Sequence, residues 1–236
     1  MTYSTCKNHI PDDMGKILVD LEKLKVFSHE ISDLRIEELF SHGIGEKYIA
    51  PYSRIYCDVE KYIDDTKEVM SKYGQGVFYT KDSKGNNIRK LSQEYKNRVL
   101  NKYYFPYHKG LDELTLSLLD NRLIIVDCHS YSEKNVLHNK SKTYSDICIG
   151  FDKQYFSKTL VNGVRDIFVS NGFSVSYNRP CEGTIIPNAI YDKNLPEVYC
   201  IMIEINKRVY LPNQKLFDTC KATIKRVLEY LRDFKS

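Results

Sequence analysis

The sequence predicts an α/β chain built on a mixed sheet, and three observations carry that reading. Short apolar strands alternate with helical segments over the second half of the chain. Leu123-Ile124-Ile125-Val126 is apolar at every position, as a strand covered on both faces must be. Polar residues able to do chemistry appear where the apolar strands give out: Asp127 and His129, then Asn178 and Arg179, then Glu204, Asn206 and Arg208. Ligands of open α/β sheets bind beyond the carboxyl ends of the strands, so these are the places to read chemically.

Each element follows from local pattern. Ile17, Leu18, Leu21 and Leu24, then after a break Ile31, Leu34, Leu39 and Phe40, recur at helical spacing and predict two helical stretches over residues 12–40, the second closed by Gly43 and Gly45. Residues 48–59 read as strand around Pro51, and residues 77–80 as a second short strand. The polar run 81–87 has turn chemistry. Residues 91–119 read as the longest helical region, interrupted near Pro106, with Leu111, Leu114 and Leu118 on one face. Strands at 123–126, 147–150, 173–176 and 199–205, with helices at 156–171 and 215–234, complete the pattern.

Composition narrows the function classes. A length of 236 residues admits one large domain or two small ones; without a linker, repeat or low-complexity stretch, one domain spanning 1–236 is expected. The net charge of +4, from 35 basic and 31 acidic residues, is too small to predict nucleic-acid binding without a basic stripe. The longest apolar runs fall far short of the roughly 20 residues that a membrane span needs. Residues 2–13 are polar where a signal peptide would be apolar. Seven widely spaced cysteines with no CxxC pair argue against a disulfide framework, and the cytoplasm is the expected compartment. Without HExxH or a Gly-rich phosphate loop, any metal site must be assembled from distant residues, with the six histidines as candidates.

Asp127 and His129 alternate along one strand and so share a side, an arrangement in which a carboxylate orients a metal-binding imidazole; the structural alternative is a His satisfied by a backbone carbonyl. Glu204 stands in an otherwise apolar strand. Desolvation there would raise its pKa into the range of a general base, unless it merely pairs with Arg208 on the same face. Arg54, Arg179 and Arg208 lie beside strands and suit a carboxylate-bearing ligand if they converge. His29 and Asp33 are four apart on a predicted helix and face one way. Asp58, Glu60, Asp64, Asp65 and Glu68 form an acidic loop whose default is solvation, with Asp58 able to orient a His or Arg.

The segments Ser53-Arg54-Ile55-Tyr56-Cys57-Asp58-Val59-Glu60-Lys61-Tyr62, Gly74-Gln75-Gly76-Val77-Phe78-Tyr79-Thr80 and Asp127-Cys128-His129-Ser130 resemble the N-formylglutamate amidohydrolase family. So do Asn178-Arg179-Pro180-Cys181-Glu182-Gly183-Thr184 and Met202 to Tyr210, and the likeness runs in order along nearly the whole chain. The resemblance implies a three-layer α/β/α fold similar to zinc carboxypeptidases. It also implies zinc-dependent hydrolysis of N-formyl-L-glutamate or a related small acidic N-acyl amino acid, a reaction of histidine degradation. On that basis His129, held by Asp127, and Asp33 are metal ligands. Glu204 is the general base, and Arg54, Arg179 and Arg208, with Asn178 and Lys61, face the substrate. Two departures stand out. Thr5 occupies the position of the family's N-terminal metal His, leaving His9 or Cys6, and more remotely His29, to supply a ligand; Lys61 replaces the usual Arg. A metal-deficient binding protein for an acidic ligand, or a hydrolase of another amide, are the alternative readings.

Overall fold

The computed structural model describes residues 2–4, 9–120, 122–137 and 143–235. Six strands form the main sheet: β1 (Thr2–Ser4), β3 (Lys47–Ile49), β5 (Leu123–Tyr131), β6 (Ile147–Gly150), β7 (Val175–Tyr177) and β8 (Val198–Asn206). Their order is β3-β1-β5-β8-β6-β7, parallel throughout except that β6 runs against β8. The sheet is therefore mixed, as the alternation of elements predicts. β2 (Lys16–Ile17) and β4 (Arg89–Lys90) form a separate antiparallel pair.

Helices cover both faces. Helices α2 (Ile36–Leu39), α5 (Lys158–Ser170) and α6 (Gln214–Asp233) pack Leu160, Val164, Phe168, Ile224 and Val227 against Val126, Cys128, Ile201, Ile203 and Ile205. Each fully buried aliphatic or aromatic side chain there contributes roughly 1.5–3 kcal/mol. Ser157 and Asn213 cap α5 and α6 by accepting the backbone N–H of Leu160 and Leu216. On the opposite face, the end of α4 (Phe105–Leu118) packs Leu118, with Leu119 and Ile190, on Leu123, Ile125, Val198 and Cys200. Beyond it, α1 (Leu21–Ile31), α3 (Gln93–Val99) and α4 enclose an aromatic cluster with Tyr56, Tyr79 and Tyr103. No helix among the described residues is long and apolar enough to cross a membrane.

Four expected elements come out differently: residues 77–80 carry only the isolated bridge of Tyr79 with Gln75 in place of a strand, and the other three differ for local reasons. Within residues 12–40 the first helix starts only at Leu21, after β2, and the break falls at 32–35 instead of between Leu24 and Ile31: Ser32 takes an extended backbone at the end of α1, and Arg35 has φ 58°, so the chain turns before α2. Residues 50–59 are a loop instead of a strand. Pro51 brings no donor, and Ser53 N–H and Tyr56 N–H bond to the carbonyls of His9 and Ser53. Pro106 does not interrupt its helix. Residues 100–104 form one π-turn, with Phe105 N–H bonded to Leu100 O, and α3, this turn and α4 run on continuously.

Candidate active site

The site arises from a change of chemistry along one face of two neighbouring strands. On the α5/α6 face, Val126 and Cys128, and Tyr199, Ile201, Ile203 and Ile205, remain apolar to the strand ends. On the other face the series Leu123, Ile125 becomes Asp127, His129, and the series Val198, Cys200 becomes Met202, Glu204, Asn206. The strand β5 continues to Tyr131, so Asp127 and His129 lie within it and not after it. The parallel register pairs His129 with Glu204. All three of these ionisable residues are buried.

Two loops bring the remaining charges. The turn after α1 carries Asp33, whose Oδ1 accepts the backbone N–H (2.6 Å) and hydroxyl (3.0 Å) of Ser130, while Oδ2 accepts Arg54 Nη2 (2.9 Å). The loop 50–61 carries Arg54, Asp58 and Glu60. Arg54 also reaches Glu60 Oε2 (3.3 Å) and Asp58 Oδ2 (4.0 Å). This loop is fastened at many points. Ser53 Oγ contacts Ser28 Oγ (2.7 Å), Tyr79 donates to Asp58 Oδ2 (3.1 Å), and the buried Arg89 donates to the carbonyls of Tyr79, Met14 and Tyr56.

His129 stands between carboxylates on both ring nitrogens. Nε2 lies 2.6 Å from Asp127 Oδ1 and 2.8 Å from Glu60 Oε1; Nδ1 lies 3.4 Å from Asp33 Oδ2. Asp127 is itself oriented, because its Oδ2 accepts the N–H of Ile185 (3.1 Å). Burial opposes a charge on His129, but Asp127 and Glu60 outweigh it and push the imidazole pKa well up. Burial likewise opposes ionisation of Asp33, and Arg54 and His129 overcome it, holding this carboxyl far below the usual range. Glu204 is the opposite case: burial dominates, the charge on Asp33 adds to it, His129 only partly offsets it, and the carboxyl is pushed up to about 7. The Cys181 thiol faces Glu204, and burial followed by that carboxylate's charge pushes it well up.

The residues expected at the site divide. Asp33, Arg54, Asp127, His129 and Glu204 come together. Arg54 does so as partner to three carboxylates, Asp33, Glu60 and, at 4.0 Å, Asp58. Arg208 does not pair with Glu204; its side chain, 45% exposed, engages Glu133 and Asp146. Asn178 is taken up by its own loop, its amide oxygen accepting the N–H of Phe151 (3.0 Å) and Gly183 (3.2 Å). Lys61 pairs with Glu68 (3.5 Å). His9 is exposed with its ring tilted against Tyr52 (5.4 Å), and His29 is exposed on α1. Thr5 and Cys6 lie outside the described residues. Arg179 is exposed, with no side-chain partner among the described residues, on the loop that touches the site through Cys181 and Ile185.

Glu60 is the residue that sequence reasoning assigned to solvent. Its carboxylate is only 16% exposed, and Asp58, two residues before it, is fully buried. Their two-residue spacing beside Arg54 is the one sequence signal that both turn inward. Glu60, Asp127 and His129 offer ligand atoms within 4.8 Å of one another. Their donor types, imidazole nitrogen and carboxylate oxygen, are those zinc accepts. The buried Glu60 Oε1 has no hydrogen-bond partner, which fits a cation between these groups.

A parallel-centred α/β sheet with a histidine and several carboxylates at its carboxyl edge, beside a glutamate poised to exchange a proton, is the frame of a hydrolase. Residues 6–211 match the N-formylglutamate amidohydrolase family, and the chain belongs to it, among enzymes that hydrolyse an amide bond. The structure is similar to that of an N-formylglutamate amidohydrolase from Ralstonia eutropha JMP134 (TM-score 0.81, 20% identity, covering 98% of this chain and 93% of that one). It is also similar to a gene product of Agrobacterium tumefaciens (TM-score 0.68, 15% identity, covering 98% and 90%). No curated protein matches the chain in sequence.

Proposed function

We propose that this chain is a zinc-dependent amidohydrolase, working as one domain, that cleaves N-formyl-L-glutamate or a related small acidic N-acyl amino acid to the free acid and amine. The observation that carries the reading is the His129–Glu204 register pair: a candidate ligand and a buried carboxyl held at about 7 sit side by side at the sheet's carboxyl edge. When bound at His129, zinc acts as a Lewis acid on the scissile carbonyl and eases deprotonation of the attacking water.

The chain's own groups do the rest. Glu204 accepts a proton from the attacking water and returns it to the leaving nitrogen, so water is added across the amide and no other reactant is consumed. A base whose pKa lies near the working pH is ionised often enough to accept that proton and acidic enough to release it again. Asp127 grips the imidazole of His129 at Nε2 and fixes its plane, leaving Nδ1 for the metal. Arg179 is the cation for the substrate carboxylate, since Arg54 and Arg208 are already paired. Purified protein should contain about one zinc per chain and release formate from N-formyl-L-glutamate. Absence of both, with Glu204→Gln no different from the parent protein, would refute the reading.

A further inference from the structure

Resting on the amidohydrolase reading above, we propose that Arg89 is a positioning residue of the enzyme: it touches no substrate, and it holds the loop 50–61 in the geometry that turnover requires.

Arg89 lies on β4, opposite Ile17 of β2, and is 2% exposed. A guanidinium is costly to bury, and an arginine this deep in a protein is as a rule paired with a carboxylate. Among the described residues, the acceptors of Arg89 are instead three backbone carbonyls. Nε donates to Tyr79 O (2.6 Å), Nη2 to Tyr56 O (3.1 Å) and Nη1 to Met14 O (3.4 Å). Burial pushes its pKa down to about 10, so the side chain keeps its charge near neutral pH. Met14 and Tyr56 lie outside helix and strand, and Tyr79 belongs only to an isolated bridge. Buried carbonyls in such irregular segments need donors from elsewhere, and one guanidinium supplies all three.

Two of the three contacts lead to the site. Tyr79 donates its hydroxyl to Asp58 Oδ2 (3.1 Å), and the Asp58 N–H donates to Val77 O (2.8 Å), so the segment 77–79 grips Asp58 by side chain and backbone. Tyr56 stands two residues before Asp58 on the loop itself. Asp58 Oδ1 then accepts the backbone N–H of Glu60 (3.2 Å), and the Glu60 carboxylate lies 2.8 Å from His129 Nε2 and 3.3 Å from Arg54 Nη2. Arg89 is the common anchor of the loop and of the segment that braces it. Different nitrogens of one rigid, planar fork meet the two segments, so the fork fixes their spacing. Lysine keeps the charge but offers a single nitrogen on a flexible stem.

The test compares the full-length parent with Arg89→Met, Arg89→Lys and Tyr79→Phe, in steady-state hydrolysis of N-formyl-L-glutamate and in backbone hydrogen exchange. Expected for Arg89→Met is a kcat lower by about 10–100-fold with KM within about threefold, because a misplacement of about 1 Å at the reacting groups is enough to cost about 100-fold. Arg89→Lys should recover part of the loss, and Tyr79→Phe, which cuts only the link to Asp58, should repeat it in smaller measure. Amides 54–61 should exchange at least about tenfold faster in Arg89→Met, while those of β5 and β8 keep the parent's rates. A kcat within about twofold of the parent overturns the proposal, and so does a loss carried wholly by KM, or exchange that quickens as much in β5 and β8 as in the loop. Should Arg89→Met not fold, Tyr79→Phe decides, and unchanged kcat with unchanged exchange at 58–60 overturns the anchor. A parent protein that releases no formate overturns the amidohydrolase reading instead, and the exchange comparison alone then decides whether Arg89 holds the loop.

Discussion

Replacing Glu204 with Gln should do two opposite things at once, and the pairing is diagnostic. Burial holds this carboxyl at about 7 against an ordinary value of 4.5. A folded pKa above the unfolded one means that the folded state prefers the protonated acid. The stabilising contribution is therefore complete below about pH 4.5 and is lost as the pH rises through about 7. A shift of about 2.5 units at 1.36 kcal/mol each amounts to about 3 kcal/mol. Gln is neutral at every pH and escapes this loss. In urea unfolding with chelator present, Glu204→Gln and the parent should match near pH 4, and the variant should be more stable by up to about 3 kcal/mol near pH 8. Gln accepts no proton, so the same variant should lose about 10²–10⁴-fold in kcat. Parallel stability-against-pH curves for the two proteins would refute the burial argument. Retained turnover would refute the general-base role.

Three further substitutions probe the frame around the site. Arg54→Leu leaves Asp33, Asp58 and Glu60 buried without their cation and should cost about 3–5 kcal/mol in chemical unfolding. Arg208→Ala removes a largely exposed pair with Glu133 and Asp146; it should cost under about 1 kcal/mol and leave the KM for an acidic substrate within about twofold, whereas a large rise in KM would return Arg208 to the substrate site. Gly150→Ala drives a Cβ into the carbonyl of Gly183 and the side chain of Met202, so it should cost about 1–3 kcal/mol by thermal melt. It should also lower turnover, because the displaced loop carries Ile185 N–H away from Asp127.

Strand periodicity made the centre of the site legible before any coordinates. Asp127 and His129 alternate along one apolar strand and Glu204 interrupts another, so two-residue spacing alone puts each on a definite face. The α/β class and the helices near residues 158–170 and 214–233 follow from the same kind of pattern. Sequence failed where a residue's environment comes from a distant segment. Apart from its spacing from Asp58 beside Arg54, the acidic run around Glu60 hides that Arg54, His108 and Tyr104 turn it inward. The helical spacing of Ile31 and Leu34 hides the break at Arg35 that frees Asp33 to reach Ser130. Arg54, Arg179 and Arg208 look alike along the chain, yet one is buried among carboxylates, one faces solvent uncommitted, and one is spent on a rim ion pair. Side-chain direction along a strand or helix is a local property, written into the backbone repeat. Which carboxylate a cation meets, and how much water is left around it, depends on segments distant in the sequence arriving at one point, and folding alone brings them there.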